Sequence, residues 1–401
     1  MSSPKFPWTD SNPVIIMGAG FAGLALAQGL HVRKIPFLVF EQDELSTRPY
    51  GHRFRLDEAG IDALLETISP ELGDLFEKTF PRLISKAPKI RDARTLEEMP
   101  LPSRPEPTGK GPLPIDRTWI LQLLALGIED KIHRGKTFLS YEILPSGVRV
   151  HFSDSISVTG CLLVGADGVR SKVRRQLQPD RKLLDMERQI IWGRTWITPR
   201  FAEEYSPEAN TWLVALDQES RKNNVVLEPI LWRDNMSKLS GGRLPDTEDY
   251  LYWAFATEAP ESNAPRTPDE LKAYISEHTK GWHLKFLPLF EYADWNLAVG
   301  TRIYSSKPDI GDVSNGKGSV ILIGDSANPM TPQGGLGGST AVQTAADLCR
   351  TLEKDGWSEE NMAAFHERVK VLAKRSIEIS FATNKIMTAG KDWQEFAEVE
   401  R

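Results

Sequence analysis

The sequence predicts an α/β fold: a parallel-sheet domain built from both ends of the chain, an inserted and mostly antiparallel sheet, and a C-terminal helix. Three observations predict it. Short apolar runs at 14–17 and 319–324 each precede a glycine-bearing turn and a helical stretch, as strands buried on both faces do. From about 188 to 260 the pattern changes to extended segments rich in Trp, Val and Leu and bounded by polar turns. A last helical pattern runs roughly over 359–386. The expected division is 1–180 and 296–355 for the discontinuous first domain, 181–295 for the inserted sheet and 356–401 for the C-terminal helical segment.

Val14-Ile15-Ile16-Met17 is the first strand; a glycine-rich turn and a helix through about Leu30 follow it. Phe37-Leu38-Val39-Phe40-Glu41 is the next strand, closing a strand–helix–strand unit of the size a parallel crossover needs. Residues 81–114, rich in Pro and charge, predict a long excursion with short strands. Asp116 is placed to cap a helix reaching about Glu129. Residues 136–164 alternate as two or three antiparallel strands, with Pro145-Ser146-Gly147 as a turn. The inserted sheet is expected from 190–197, 211–216, 225–232 and 250–255. Residues 268–292 predict a helix, and a long helix starts at about Gly337. No internal repeat is visible.

The chain has 401 residues, 40% of them hydrophobic, enough for two or three sub-domain cores. A net charge of −6 argues against a nucleic-acid binder, which needs a basic face. The one compact basic run, 170–175, is either a solvated helix face or a phosphate contact. Cys161 and Cys349 sit among apolar neighbours and are expected to be buried, inert thiols in a reducing compartment. The N-terminal residues lack the layout of a secretory signal. The apolar stretch 14–30 is too short and too glycine-rich for a membrane span. A soluble, cytoplasmic protein is the expectation, with its oligomeric state open.

Gly18-Ala19-Gly20-Phe21-Ala22-Gly23 follows a strand and opens a helix. That is the Rossmann-like dinucleotide turn, whose glycines serve the tight turn, the approach to a pyrophosphate and helix–strand packing. Glu41 closes the second strand, 18 residues beyond Gly23, where a carboxylate can accept from ribose hydroxyls. Two further acid–glycine turns sit at strand ends: Gly165-Ala166-Asp167-Gly168-Val169-Arg170-Ser171 and Gly324-Asp325-Ser326-Ala327-Asn328-Pro329. Each is an ordinary Asp-Gly turn or a contact to a ribose or ribityl hydroxyl.

The order of the three motifs, the last continuing through Met330-Thr331-Pro332 into a glycine-rich loop, resembles the group A flavoprotein monooxygenases, the aromatic-hydroxylase family, and its fungal natural-product members. The resemblance spans about 13–352. It implies a GR2-type FAD-binding domain holding non-covalent FAD, with NADPH or NADH as co-substrate. Gly18, Gly20, Gly23 and Glu41 would hold the adenosine half, Arg117 would reach the phosphates, and Asp167 would serve FAD and the nicotinamide cofactor. Asp325 would bind the ribityl–phosphate region. The loop 332–338, with Pro332, Gly335, Gly337 and Gly338, would run beside the isoalloxazine ring, its amides and the helix dipole facing the charge of reduced flavin. The sequence departs from the family pattern at Gln42, Asn328, Leu336, Ser339 and Thr344.

The activity so implied is hydroxylation or epoxidation of a small electron-rich substrate, phenolic, indolic or enolic, with NAD(P)H and O2, through a flavin C4a-hydroperoxide. An oxidase, a Baeyer–Villiger-type oxygenase and a non-catalytic flavin binder are the alternatives. Arg53 and Arg55 alternate as on a strand. The resemblance places this region close to the flavin, where one of them would touch FAD, substrate or a nicotinamide phosphate. Arg55 is the candidate cofactor contact; a surface salt-bridging pair is the competing reading. The tryptophans at 192, 196, 212, 232 and 253 are mostly core by default, with a minority lining a flat apolar pocket. Trp192, Trp212 and Trp253 are the pocket candidates, as is Arg194, placed to orient an acidic or carbonyl group. The seven histidines show no metal-ligand spacing. No catalytic base is identifiable.

Overall fold

The computed structural model describes residues 8–44, 52–100, 111–205, 211–260, 264–311, 318–388 and 390–401; part of the expected 81–114 excursion, 101–110, lies outside them. In chain order the elements are β1 (Val14–Met17), α1 (Phe21–Val32), β2 (Phe37–Phe40), β3 (Arg53–Leu56), α2 (Glu58–Thr67), α3 (Pro70–Thr79), β4 (Lys89–Asp92), β5 (Leu113–Asp116) and α4 (Arg117–Ala125). Then come β6 (Ile132–His133), β7 (Phe138–Leu144), β8 (Gly147–Phe152), β9 (Ser157–Gly160), β10 (Leu162–Gly165), α5 (Lys172–Leu177), β11 (Leu183–Trp196) and α6 (Pro199–Glu204). The remainder is β12 (Leu213–Leu216), β13 (Asn224–Ile230), α7 (Met236–Ser240), β14 (Tyr250–Glu258), α8 (Pro268–His278), α9 (Leu287–Glu291), β15 (Val299–Ser305), β16 (Val320–Leu322), α10 (Gly337–Lys354), α11 (Glu359–Thr388) and β17 (Glu398–Val399).

The parallel sheet runs β16-β10-β1-β2-β6, with Val14 opposite Leu162 on one side and Phe37 on the other. Its apolar runs are unbroken because both faces are covered. Ile16, Val164 and Ile321 pack into the core shared with α1 and α10, whereas Ile15, Leu163 and Leu322 meet the antiparallel β7-β8-β9 ribbon. Cys161 and Cys349 are buried and free, and burial pushes both thiols up to about 12.

The second sheet runs β15-β11-β14-β13-β12-β4, with β17 added on β11; all its pairings are antiparallel except β4 with β12. Its hydrogen-bonded strands therefore reach beyond both ends of the 181–295 span. Strand alternation gives this sheet two different faces. Ile191, Val225, Leu227, Leu251, Trp253 and Phe255 point outward into a core closed by Leu271, Ile275, Leu289 and Phe290 of α8 and α9. Ile190, Trp192, Ile230, Tyr250, Tyr252 and Ala254 point inward, against the parallel-sheet domain.

This alternation corrects one pocket candidate. Trp253 is fully buried on the outer face, edge-on to Phe290 and tilted against Trp295, and its Nε1 donates to Thr195 Oγ1 at 3.2 Å. Its neighbour Gly193 exists to admit that indole, since a Cβ there would overlap the ring. Two helix expectations are corrected as well. Asp116 caps α4 as expected, accepting from Trp119 N at 2.8 Å, but the helix stops at Ala125, just before Gly127 turns the chain with φ +78°. The expected helix over 268–292 is α8 and α9 separated by a turn at Gly281 (φ +80°) and a short 3-10 segment.

Because the indole fills the space over Gly193, Gly193→Ala is expected to lower unfolding stability by about 1–3 kcal/mol through overpacking, read as a drop in thermal midpoint.

Candidate functional site

β1 ends in the glycine turn at the carboxyl edge of the parallel sheet, where open α/β sheets bind ligands. Gly18 has φ +107°, and a Cβ there would overlap Ala166 O, while one on Gly23 would overlap Gly18 O. A Cβ on Gly20 would meet no atom within 4 Å, and Gly20 gives α1 no side-chain cap. The first amides of α1 thus face open space, an anion-binding arrangement. Glu41 stands beside the turn, accepting from Ala19 N at 2.7 Å and Asp43 N at 3.0 Å.

The other two acid–glycine turns behave differently from each other. Asp167 accepts from Ser171 Oγ at 2.5 Å and from Lys172 N at 2.8 Å, so its carboxylate is occupied with the start of α5. Asp325 follows β16 and is open to solvent, yet enough protein surrounds it that burial raises its carboxyl, against the pull of Arg117 and Arg174. Arg117 is lowered by burial, opposed by Asp325 and Glu41. Glu41, Arg117 and Asp325 therefore share one crevice, although they come from three parts of the sequence. Arg174, from the basic run read as a solvated face or a phosphate contact, is instead buried and ties the second turn to the third by donating to Val169 O at 2.5 Å and Ser326 O at 2.9 Å.

The loop 332–338 closes the crevice. Gly334 (φ +94°) and Gly335 (φ +69°) adopt left-handed backbone, Pro332 is exposed, and Gly337 and Gly338 open α10 half-buried. Leu336 gives α10 no side-chain cap, so its first amides are available to a negative group. Gln333 Oε1 is buried without a hydrogen-bond partner. The departures from the family pattern have structural employment here. Ser339 Oγ accepts from Asp57 N at 3.1 Å, Thr344 Oγ1 accepts from Gly324 N at 3.4 Å, and Asn328 Oδ1 accepts from Arg181 at 2.9 Å.

Between this crevice and the second sheet lies the β3–β5 ribbon. Phe54 turns toward the helices, its ring 4.8 Å from Phe21 and 2.6 Å from where a Gly338 Cβ would lie. Arg53 and Arg55 turn the other way, toward the inner sheet face. They form neither a surface pair nor a contact to the glycine turns: both bond Glu228 of β13. Arg55 also donates to Pro112 O at 2.9 Å and Ser85 O at 3.2 Å, and lies 3.6 Å over the Trp212 ring. Burial, then Arg53, pushes its guanidinium down to about 8. Trp192 is half-buried on the same face, so this ribbon-facing surface gathers Arg194, Trp192 and Trp212 but not Trp253.

Arg194 is paired across β14 with Tyr252, and its Nε and Nη2 reach His52 Nδ1 at 3.0 and 2.8 Å. His52 Nε2 lies 2.9 Å from Leu297 O and donates to it. Burial, then Arg194, lowers His52 to about 3, so the ring is neutral and Nδ1 is its acceptor. Tyr250 donates to Asp116 Oδ2 at 2.6 Å, with Arg194 3.8 Å from the same oxygen. His52 and Glu228 had no signal in the sequence because each is defined by a partner far along the chain; Asp116 was legible as a helix cap but not as the acceptor for Tyr250. Among the described residues no cluster of His, Cys, Asp or Glu is arranged to hold a metal ion, and no helix is long and apolar enough to cross a membrane.

The family described as FAD binding domain matches residues 131–375. A dual O-methyltransferase/FAD-dependent monooxygenase of Phaeosphaeria nodorum is 32% identical over 88% of this chain and 42% of its own length. One from Cercospora beticola is 31% identical over 96% of this chain and 47% of its own. The chain thus spans less than half the length of these two relatives. Among solved structures, Klebsiella pneumoniae HpxO complexed with FAD and uric acid superposes with a TM-score of 0.74 at 21% identity, covering 96% of this chain and 90% of that one.

The close backbone approach at Gly18 makes Gly18→Ala a direct test of the crevice. Left-handed backbone on an alanine costs about 1–2 kcal/mol before the overlap with Ala166 is counted. The variant is expected to emerge from gel filtration with a lower flavin-to-protein absorbance ratio than the parent. His52 gives a pH signature. Its folded value is depressed to about 3 from 6.5, so the unfolded chain binds the extra proton, and stability present above pH 6.5 is lost as pH falls from there toward 3. Between pH 6.5 and pH 5 this amounts to about 2 kcal/mol. His52→Gln is expected to shrink that acid-side loss in denaturant titrations.

Proposed function

This chain belongs to the family of FAD-dependent monooxygenases that carry the FAD binding domain, and we propose that it uses NAD(P)H and O2 to oxygenate a small, electron-rich organic substrate. The observation that carries this reading is a single crevice bordered by two uncapped helix N-termini, those of α1 and α10, and by Arg117. A dinucleotide pyrophosphate and a ring that becomes negative on reduction are the two anionic parts such a crevice suits. The residues fit FAD: Gly20 leaves the space a pyrophosphate needs, Glu41 and Asp325 offer carboxylates to hydroxyls, and Gln333 Oε1 is a buried acceptor in search of a donor.

Bound FAD would supply the redox chemistry, taking electrons from the nicotinamide and passing them to O2. The chain's own work is positional. Gly18, Gly20, Gly23 and Glu41 would hold the adenosine half and Arg117 would offset phosphate charge. Asp325 would orient the ribityl chain, and Pro332, Gly335, Gly337 and Gly338 would line the ring. Asp167 would act by shaping the second turn rather than through a free carboxylate. The aromatic inner face of the sheet, with Trp192, Trp212 and Arg194, would hold the substrate and keep water out. Hydroxylation or epoxidation of a phenolic, indolic or enolic compound in the cytoplasm is the specific form proposed. Fungal relatives named as FAD-dependent monooxygenases support the oxygenation, and the aromatic inner face is what favours a flat substrate.

Anaerobic stopped-flow tests the reading. FAD-loaded protein mixed with NADPH or NADH is expected to bleach faster when a suitable phenol, indole or polyketide enol is present, then to re-oxidise with O2 and release oxygenated product. Protein that holds no flavin, or whose flavin neither nicotinamide reduces with any compound, would sink the proposal and favour an oxidase or a non-catalytic binder.

A further inference from the structure

We propose that Arg53 and Trp212 form an oxyanion subsite in which the substrate binds as a planar aromatic or enolic anion. The inference rests on the oxygenase reading and names its substrate class. Arg53 Nε and Trp212 Nε1 are both buried donors without a hydrogen-bond partner, and they belong to one cluster: the Arg53 guanidinium lies 5.8 Å from the Trp212 ring centroid. Buried N–H groups are almost always satisfied in proteins. Two unsatisfied ones side by side therefore mark where an acceptor arrives from outside the chain.

Charge points the same way independently. Arg53 and Arg55 share one carboxylate, that of Glu228. Along the same cross-strand row, Glu228 pairs with Tyr252 and Tyr252 with Arg194, and Arg194 faces Asp116 and the neutral His52. Among the described residues of this row and ribbon, three guanidiniums meet two carboxylates. A surplus cation in a dry interface is costly until an anion joins it. All three Arg55 nitrogens already donate, to Glu228, Pro112 O and Ser85 O, whereas Arg53 Nε has no partner, which leaves Arg53 as the cation with more capacity to spare. Burial depresses the Arg53 guanidinium from its ordinary value, and an incoming anion would relieve that.

The surroundings agree. Arg53 lies 4.8 Å over the Tyr252 ring and 5.8 Å from the Trp212 ring, and Arg55 lies 3.6 Å over Trp212. Aromatic rings and guanidiniums thus alternate around the two free donors, the setting a planar anion suits. Phe54, on the opposite side of the same strand, rests on Gly338, which sets the subsite one strand's thickness from the start of α10. An ionised enol or phenol is electron-rich at the carbon next to the one that bears its oxygen, the position that an oxygenase functionalises. Stabilising that ion also removes the need for a dedicated base, and His52 is not one, since Arg194 occupies its Nδ1.

The test is equilibrium binding to FAD-loaded protein, followed by calorimetry and by flavin absorbance. The probes are 2-naphthoate, 2-naphthol and, without an ionisable oxygen, 2-methoxynaphthalene. The parent is expected to bind an anion more tightly than the ether. Trp212→Phe, which removes only the N–H and part of a ring, is expected to weaken that anion about ten-fold. Arg53→Gln is expected to weaken it about ten- to hundred-fold, with the ether unchanged within about two-fold in both. Tighter naphthol points to a phenolate or enolate, tighter naphthoate to a carboxylate. Equal affinity for ether and anions, binding of neither anion, or variants that weaken all probes alike overturn the proposal. Should Arg53→Gln fail to fold, Trp212→Phe decides alone. Failure of the oxygenase reading shows separately, as protein without FAD or flavin that NAD(P)H never reduces, while calorimetry still reports the ligand.

Discussion

The carbonyl of Ala166 lies so close to Gly18 that no side chain fits between them, and the carbonyl of Gly18 lies in the same way against Gly23. Two strand ends and one helix start are thereby held together by backbone alone. That contact sets where α1 begins and where its unpaired amides point. Because β10 is pinned beside β1, Asp325 at the end of β16 comes to the same edge, and Arg117 lies between it and Glu41. Arg174 then locks the second turn onto the third through carbonyl oxygens, so this part of the rim hangs on one buried guanidinium and the main-chain acceptors around it.

The second sheet depends on that rim through the β3–β5 ribbon. The ribbon presents Phe54 to the helices and two arginines to the sheet, so one strand separates an apolar packing layer from a charged one. Glu228 binds both arginines across the interface. An interface joined this way trades hydrophobic contact for orientation, because removing any one member leaves a buried charge without its partner.

How much of this was legible follows from the kind of signal each feature has. The parallel strands, the dinucleotide turn and the long helices α10 and α11 have local signatures, and the sequence places them closely. Asp116 was legible as a cap because capping acts over three residues. The lengths of α4 and of the 268–292 segment were not, since the turns at Gly127 and Gly281 interrupt a helical pattern that otherwise continues. Trp253 was misjudged because composition cannot tell which face of a strand points where; the register of β11 on β14 decides it. The burial of Arg55 was not legible, because it rests on Glu228, a partner 173 positions away. Likewise Asp167 belongs to a motif yet its carboxylate caps α5.

The strict alternation of the second sheet has a consequence for how such a molecule can diversify. On β11, β13 and β14 the even-numbered residues Trp192, Arg194, Glu228 and Tyr252 face inward, while the odd-numbered Ile191, Leu227, Trp253 and Phe255 secure the outer core. Selectivity and robustness are written on interleaved letters of the same strands. A lineage can rewrite one set and leave the other untouched, so new ligand preferences need not be bought with a weaker scaffold.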